Sequence, residues 1–149
     1  MTLIDTHTHL ESFAERERLL MLCDTAQAFG ATLNGRVTGS IGDAHVRAVE
    51  DTQDRVTLDA AVDIEAKRVA DFAGQHKIPR HYMDYATMLK AERPDIVLIA
   101  TPPAQHASMS IAAMEAGAWV LCEKPLCGSL AELDSIEAAE QRTGGFTSC

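Results

Sequence analysis

The run DIVLIAT at residues 95–101 decides the fold of this chain. It is apolar almost throughout and rich in β-branched residues, a composition typical of a strand buried on both faces of a parallel sheet. Prolines at 102 and 103 end the strand, and residues 104–116 then have the apolar spacing of a helix that Gly117 closes. The stretch therefore predicts a buried strand followed by a crossover helix.

The same alternation extends along the chain on both sides of this run. Two further strands are predicted at Val56–Val62 and Trp119–Cys122. Helices are predicted at Glu65–Gln75, Tyr85–Glu92 and Ser129–Thr143, the last beginning with a Ser-x-x-Glu capping box. Strands that alternate with helices across short loops build βαβ units, so we expect an α/β fold with a parallel sheet. In such sheets ligands bind beyond the carboxyl ends of the strands.

Length and composition narrow the class of protein. The chain has 149 residues, 46% of them apolar, which suits one domain with its own core. Its formal net charge of -9 argues against binding to nucleic acid or to anionic membrane surfaces. No apolar run is long enough to span a membrane, and no secretory signal is recognisable. The four cysteines form no metal-binding pattern, so reduced thiols and a cytoplasmic setting are expected.

The loop GSIG at residues 39–42 is the first candidate for ligand binding. Its glycines would let the backbone approach a pyrophosphate, and the helix that it opens would supply free N–H groups. Asp63 ends the next strand 21 residues beyond Gly42, where a carboxylate can hydrogen-bond a ribose hydroxyl. The dinucleotide fingerprint is incomplete, because Val37 stands where it has a glycine and the preceding stretch Leu33–Arg36 is partly polar. An ordinary tight turn is the alternative.

Two later loops also place polar side chains at strand ends. Thr101 and Pro102 end the apolar run, and His106 lies four residues beyond Pro102. The sequence Glu-Lys-Pro at residues 123–125 follows the last predicted strand. An ammonium group there can hydrogen-bond a ribose or substrate oxygen, and the neighbouring carboxylate would orient it. The alternative for this loop is a solvated turn with a surface ion pair.

From about Gly39 to its end, the chain resembles the N-terminal domain of the Gfo/Idh/MocA oxidoreductases, which include sugar and inositol dehydrogenases. Five pieces carry the resemblance: GSIGDAH (39–45), AAVD (60–63), RPDIVLIATPPAQH (93–106), AMEAGAWVLCEKPL (113–126) and SLAEL (129–133). The resemblance implies a Rossmann-type doubly wound parallel sheet, with a single dinucleotide-binding domain over residues 31–149. It also implies NAD or NADP as the cofactor.

Roles for individual residues follow from the same resemblance. Four residues would face the pyrophosphate of the cofactor: Gly39, Ser40, Ile41 and Gly42. Three would line the dinucleotide cleft: Thr101, Pro102 and His106. Asp63 would hold the adenosine ribose and so favour NAD, while Arg68 nearby keeps NADP open. Glu123 and Lys124 would lie near the nicotinamide, and Lys124, the one catalytic candidate, would also reach the substrate.

The resemblance further implies hydride transfer between nicotinamide and a CH–OH carbon of a small-molecule sugar or polyol. Family members continue into a second, α+β domain that holds the substrate and supplies further acid–base residues. We expect this chain to lack that substrate domain and to be incomplete for catalysis, so whether it is itself an enzyme stays open. A non-catalytic nucleotide-binding or interaction module is the alternative. An oligomer would need a surface other than the second domain's sheet.

Residues 1–30 do not match that family and are expected to form an N-terminal extension. An amphipathic helix is predicted over residues 12–29. Before it, residues 3–11 resemble the opening strand of TatD-like and amidohydrolase-type metal-dependent hydrolases, with His7 and His9 on one face. Those enzymes need a barrel of about 250 residues, so a hydrolase fragment is the weakest hypothesis and no metal site is expected.

Overall fold

The structure, a computed structural model, describes residues 18–22, 32–33, 36–37, 41–51 and 56–149. The strands of this part are β1 (Arg18–Leu22), β2 (Thr32–Leu33), β3 (Arg36–Val37), β4 (Thr57–Val62), β5 (Arg80–Tyr82), β6 (Ile96–Ile99), β7 (Trp119–Cys122) and β8 (Thr147–Ser148). Its helices are α1 (Ile41–Glu50), α2 (Ala66–Gln75), α3 (Tyr85–Glu92), α4 (Pro103–Glu115) and α5 (Leu130–Thr143). From β4 onward strands and helices alternate, as the sequence predicts.

Six strands form one sheet in the order β5-β4-β1-β6-β7-β8, and every neighbouring pair runs parallel. The chain fills one half of the sheet from β1 outward to β5, crosses over through α3, and fills the other half from β6 to β8. This is the strand order of the Rossmann fold, so the predicted doubly wound α/β sheet is confirmed. The order reverses between β1 and β6, which is where such sheets bind ligands.

Helices cover both faces of the sheet, and β6 shows the consequence for its sequence. Its side chains alternate between two buried clusters. Ile96 and Leu98 pack on the face that carries α1 and α2, and Val97 and Ile99 on the face that carries α3, α4 and α5. A strand with no face toward solvent needs consecutive apolar residues, which is the pattern found at 96–99.

The prediction of a helix over residues 12–29 is wrong at Arg18–Leu22. These residues form the central strand β1, between β4 and β6. The run Leu19–Leu22 is apolar at four consecutive positions, which suits a strand in the middle of a sheet covered on both faces. An amphipathic helix would need polar residues at some of these positions. The five residues belong to the main sheet and not to a separate extension over residues 1–30. The rest of that predicted helix, and the histidines at 7 and 9, lie outside the described residues.

The weak strand pattern before the glycine loop does not form the centre of the sheet. Thr32–Leu33 and Arg36–Val37 instead pair with each other in an antiparallel ladder outside the main sheet. Polar residues are poorly tolerated in a central parallel strand, because both of its faces are buried. The apolar β1 takes that place, at a greater distance along the chain from the glycine loop than the fingerprint expects.

Helices α2 to α5 begin and end within one residue of the predicted bounds, and α5 shows what fixes its ends. The Ser129 hydroxyl accepts a hydrogen bond from the backbone N–H of Glu132 at 3.2 Å, as the capping box predicts. The Glu132 carboxylate accepts from the N–H of Gly128 at 2.7 Å. Gly144 closes the helix with a positive φ of 68°. No helix in the described part is both long and apolar enough to cross a membrane.

Candidate functional site

Three loops follow β4, β6 and β7 at the carboxyl edge of the sheet, and each carries residues predicted to contact the cofactor. Strands β4 and β6 lie on either side of β1, and β7 lies next to β6. The three loops therefore lie side by side across the point where the strand order reverses. Together they form the candidate site, in the place where doubly wound sheets bind ligands.

Asp63 follows β4 directly, and its side chain is 2% exposed. Its carboxylate accepts a hydrogen bond from the backbone N–H of Glu65 at 2.8 Å. It accepts two more from Arg68, through Nε at 2.7 Å and Nη2 at 2.6 Å. Arg68 also pairs with Glu65, Nη1 to Oε2 at 3.0 Å. The bidentate arginine compensates the buried carboxylate, so the structure brings together the two residues predicted to bear on cofactor choice.

A pocket of about 60 Å³ opens between the loops after β4 and β6. Its lining includes Asp63, Ile64, Met83, Tyr85, Thr101 and Met109. Ile64 and Met83 are 78% and 56% exposed although they line it. Large apolar side chains left in water beside a pocket mark a surface that a flat apolar group can cover. The pocket thus combines an apolar lining with one buried carboxylate.

The side chain of His106 is buried between two loops rather than exposed along the cleft. Its Nε2 lies 2.6 Å from the carbonyl oxygen of Thr101, and its Nδ1 lies 2.7 Å from that of Pro125. The ring thus lies between the loop after β6 and the loop after β7 and, when neutral, donates to one of the two carbonyl oxygens. The Thr101 hydroxyl contacts Met109 Sδ at 3.6 Å, on the side of the pocket. Pro102, the third residue predicted to line the cleft, lies directly before α4 and is half-buried.

Glu123, Lys124 and Pro125, here called the lysine loop, follow β7. Glu123 Oε1 lies 2.9 Å from Nε2 of His45 on α1, and this hydrogen bond holds the pKa of Glu123 below its ordinary value. Lys124 is exposed, and among the described residues its ammonium has no ion-pair partner. The peptide bond between Lys124 and Pro125 is cis.

His45 is a site residue that the sequence analysis did not single out. It is 7% exposed and joins α1, which begins in the predicted glycine loop, to the loop after β7. A signal for it exists, because a histidine on the buried side of an otherwise alanine- and valine-lined helix needs a polar partner. Nothing in the sequence names that partner, since Glu123 lies 78 residues further along the chain.

The predicted pyrophosphate site is described only in part. Ile41 begins α1 and Gly42 follows it, buried in the first turn. Gly39 and Ser40 lie outside the described residues. Helix α1 starts within the predicted loop, and backbone N–H groups at a helix N-terminus can bind an anion.

Other reactive side chains near the site are poorly suited to chemistry at neutral pH. Burial raises the pKa of the Cys122 thiol to about 12, and burial also raises the pKa of Tyr85. Neither group would ionise near neutral pH. Within the described ranges, no three His, Cys, Asp or Glu side chains are grouped so that they could hold a metal ion. Lys124 remains the exposed cation at the carboxyl edge of β7.

Comparison with known proteins identifies the family to which the chain is similar. The family model GFO_IDH_MocA, described as an oxidoreductase family with an NAD-binding Rossmann fold, matches residues 37–148. A model of the DegT/DnrJ/EryC1/StrS aminotransferase family matches residues 6–48, most of which lie outside the described part. The first match covers all four predicted site loops, together with all of α1 to α5.

Curated relatives agree with this match. Inositol 2-dehydrogenase of Salmonella typhimurium is 32% identical over 107 residues, which is 71% of this chain and 32% of the relative. D-apiose dehydrogenase of Paraburkholderia graminis is 33% identical over 120 residues, 80% of this chain and 31% of the relative. The scyllo-inositol 2-dehydrogenase (NADP(+)) of Bacillus subtilis is 30% identical over 107 residues, which is 72% of this chain and 32% of the relative. The chain spans about a third of the length of these relatives.

Solved structures show the same fold. The WlbA dehydrogenase from Bordetella pertussis, in complex with NADH and UDP-GlcNAcA, superposes with a TM-score of 0.73 at 20% identity, over 89% of this chain and 35% of that one. The myo-inositol 2-dehydrogenase from Lactobacillus plantarum superposes with a TM-score of 0.71 at 24% identity, over 90% of this chain and 36% of that one.

Proposed function

The chain belongs to the Gfo/Idh/MocA oxidoreductase family, and from this premise we propose that it binds a nicotinamide dinucleotide across the carboxyl ends of β4, β1, β6 and β7. The observation that carries the proposal is Asp63, a buried carboxylate that ends β4 beside an apolar pocket. In Rossmann domains a carboxylate at this place receives the ribose hydroxyls of the adenosine.

The pocket beside Asp63 suits the adenosine half of the cofactor. Adenine is flat and largely apolar on its faces, and the exposed side chains of Ile64 and Met83 can cover those faces. Thr101 borders the pocket on the side of β6. We place the pyrophosphate at the N-terminus of α1, between this pocket and the lysine loop, because free N–H groups at a helix start attract anions.

We propose that NAD is preferred over NADP. The added phosphate of NADP would bring negative charge to the ribose hydroxyl that Asp63 receives, and like charges repel in a buried site. Arg68 reduces this repulsion, because its guanidinium pairs with both carboxylate oxygens of Asp63. The preference is therefore one of degree, and Arg68 is the residue that keeps NADP binding open.

At the other end of the site, Glu123 and Lys124 would lie near the nicotinamide. The nicotinamide ring supplies the atom that accepts or gives a hydride. Lys124 would donate a hydrogen bond from its exposed ammonium to a ribose or substrate oxygen, and Glu123, held by His45, would fix the direction of the loop. These two residues therefore bear on orientation at the reacting end.

For the whole protein we propose oxidation or reduction of a sugar or polyol at a CH–OH carbon. The relatives named above are dehydrogenases of inositols and of D-apiose. Because this chain spans about a third of their length, we propose that substrate binding and acid–base catalysis need residues beyond those matched here. We also propose a cytoplasmic setting, where free thiols such as that of Cys122 persist.

A titration with NADH, followed through nicotinamide fluorescence, tests the proposal. The matched variants are Ile64→Asp and Leu130→Asp, both at exposed apolar residues, of which Ile64 lines the pocket and Leu130 does not. We expect the wild-type chain to bind NADH, the Ile64→Asp variant to bind about tenfold more weakly, and the Leu130→Asp variant to bind as the wild type does. Absence of wild-type binding at millimolar NADH would refute cofactor binding and favour a non-catalytic module.

A further inference from the structure

The lysine loop is contacted at both ends by buried histidines. His45 reaches it from α1 and contacts the Glu123 carboxylate at 2.9 Å. His106 reaches it from α4 and contacts the carbonyl oxygen of Pro125 at 2.7 Å. We propose that His45 and His106 are positioning residues that hold this loop so that the exposed Lys124 ammonium faces the nicotinamide half of the cofactor. The proposal rests on the cofactor binding proposed above.

Burial suits both histidines to this role. His45 is 7% exposed and His106 is 1% exposed, so neither offers much of its ring to a bound cofactor. A neutral imidazole has one N–H, so His106 donates to one of its two carbonyl neighbours at a time, and only the protonated ring would donate to both. Its second contact, Nε2 to the carbonyl oxygen of Thr101 at 2.6 Å, joins the lysine loop to the loop that borders the pocket. The buried ring therefore lies between the two loops and donates a hydrogen bond to at least one of them.

His45 fixes the direction of the loop through Glu123. With Oε1 of Glu123 engaged by His45, its Oε2 lies 3.4 Å from the backbone nitrogen of Lys124. The carboxylate is thus held by α1 and faces the backbone of the loop. In the described part of the chain it does not form an ion pair with the Lys124 ammonium, which stays available to a ligand oxygen.

NADH and ADP together separate a positioning role from a general effect on folding. Both ligands carry adenosine and two phosphates, and only NADH carries the nicotinamide riboside. The ratio of the ADP dissociation constant to the NADH dissociation constant therefore measures what the nicotinamide end contributes. A residue that positions Lys124 changes this ratio, whereas a residue that only stabilises the domain changes both constants alike.

The experiment measures both constants by calorimetry for the wild-type chain and for the variants His45→Ala, His106→Ala and His76→Ala. We expect each of the first two to lower the ratio by about tenfold, as the loss of one buried hydrogen bond does. His76 is the matched control, because its side chain is 12% exposed and its Nε2 contacts Asp43 at 2.7 Å, away from the lysine loop. His76→Ala should leave the ratio unchanged.

A Lys124→Ala background tests whether His106 acts through the ammonium. There His106→Ala should leave the ratio unchanged, because the side chain that it positions is gone. His106→Gln, which keeps a polar group of similar size, replaces the alanine variant if circular dichroism shows that the latter does not fold. We expect the glutamine variant to lower the ratio of the ADP to the NADH dissociation constant by less than the alanine variant does.

The outcomes separate this proposal from the proposed function. If the wild-type chain binds neither ligand, cofactor binding itself is refuted. If it binds both, the positioning role is overturned by a wild-type ratio of one, by a ratio that the His45 and His106 variants leave unchanged, or by a further fall when His106→Ala is added to Lys124→Ala.

Discussion

At the scale of single residues, the role proposed for Asp63 depends on a buried carboxylate that already has hydrogen-bond partners. Three N–H groups, one from the backbone of Glu65 and two from Arg68, already donate to its oxygens. It also lines the pocket, so a group that enters the pocket meets a carboxylate with acceptor capacity left. A ribose hydroxyl has a proton to donate to it, and a phosphate ester has none to offer near neutral pH.

Replacement of this carboxylate should change cofactor preference. We expect Asp63→Asn to raise the affinity for NADPH relative to NADH by about tenfold, because it removes a negative charge near the 2′-phosphate and frees Arg68 to pair with it. Asp71→Asn, at a half-exposed aspartate that pairs with Lys67 on α2, is the control and should leave the ratio unchanged. If the affinity for NADPH relative to NADH is the same in the wild-type chain and in the Asp63→Asn variant, the role proposed for Asp63 is contradicted.

Cys122 should be chemically inert in the folded chain. Burial raises its pKa from 9.0 to about 12, so the nucleophilic thiolate is scarce at pH 8. Iodoacetamide at pH 8 should therefore label the exposed Cys149 and leave Cys122 unlabelled until urea unfolds the protein, as peptide mass spectrometry would show. Rapid labelling of Cys122 in the native protein would mean that β7 is not buried.

The same raised pKa has a consequence for alkaline stability. The unfolded thiol ionises from about pH 9, whereas the folded one stays protonated to about pH 12. The stability that comes from burying the neutral thiol is therefore fully present below pH 9 and is lost as the pH rises toward 12. A Cys122→Ala variant should lose less of its unfolding free energy over that range than the wild-type chain does.

At the scale of single elements, the ends of α5 were predictable because capping is a local interaction. The Ser129 side chain bonds the N–H of Glu132, three residues away, and Gly144 supplies the left-handed residue that ends the helix. Sequence and structure agree on this helix to within one residue. The three-residue strand β5 was not predicted, because so short a run gives no periodicity to detect.

Removal of the Ser129 side chain should lower the free energy of unfolding by about as much as one capping hydrogen bond contributes. We expect Ser129→Ala to lower the free energy of unfolding by about 1 kcal/mol, because an N–H of the first turn loses its acceptor. Ser135→Ala, in the interior of the same helix, is the control, since Ser135 Oγ donates only to the carbonyl of its own helix at Ala131. Urea denaturation of both variants measures the difference, and equal costs would show that Ser129 does not act as a cap.

At the scale of the whole molecule, β1 lies in the middle of the sheet although it comes from the part of the sequence that resembles the family least. It pairs with β4 on one side and with β6 on the other. A strand with partners on both sides is opened only when the sheet itself opens. Arg18–Leu22 are therefore part of the main sheet.

Amide hydrogen exchange tests this central place. The amides of Leu20 and Met21 should be protected to nearly the same degree as those of Val97 and Leu98 in β6, because both pairs would exchange through global unfolding. The amides of Thr147 and Ser148, in the edge strand β8, provide the comparison and should exchange faster. If the amides of Leu20 and Met21 exchange as fast as those of an unstructured peptide, β1 is not part of the sheet, and the prediction of a separate N-terminal extension is supported instead.

The sequence by itself determined the local pieces. Apolar runs marked β4, β6 and β7, helical spacing marked α2 to α5, and both Asp63 and the lysine loop could be placed at strand ends because each directly follows its strand. Only the tertiary structure decided which strand is central and which side chains meet. His45 and Glu123 are 78 residues apart in the chain, and His106 and Pro125 are 19 apart. Such pairs come into contact only when strands from distant parts of the chain align in one sheet, and no local pattern records that alignment.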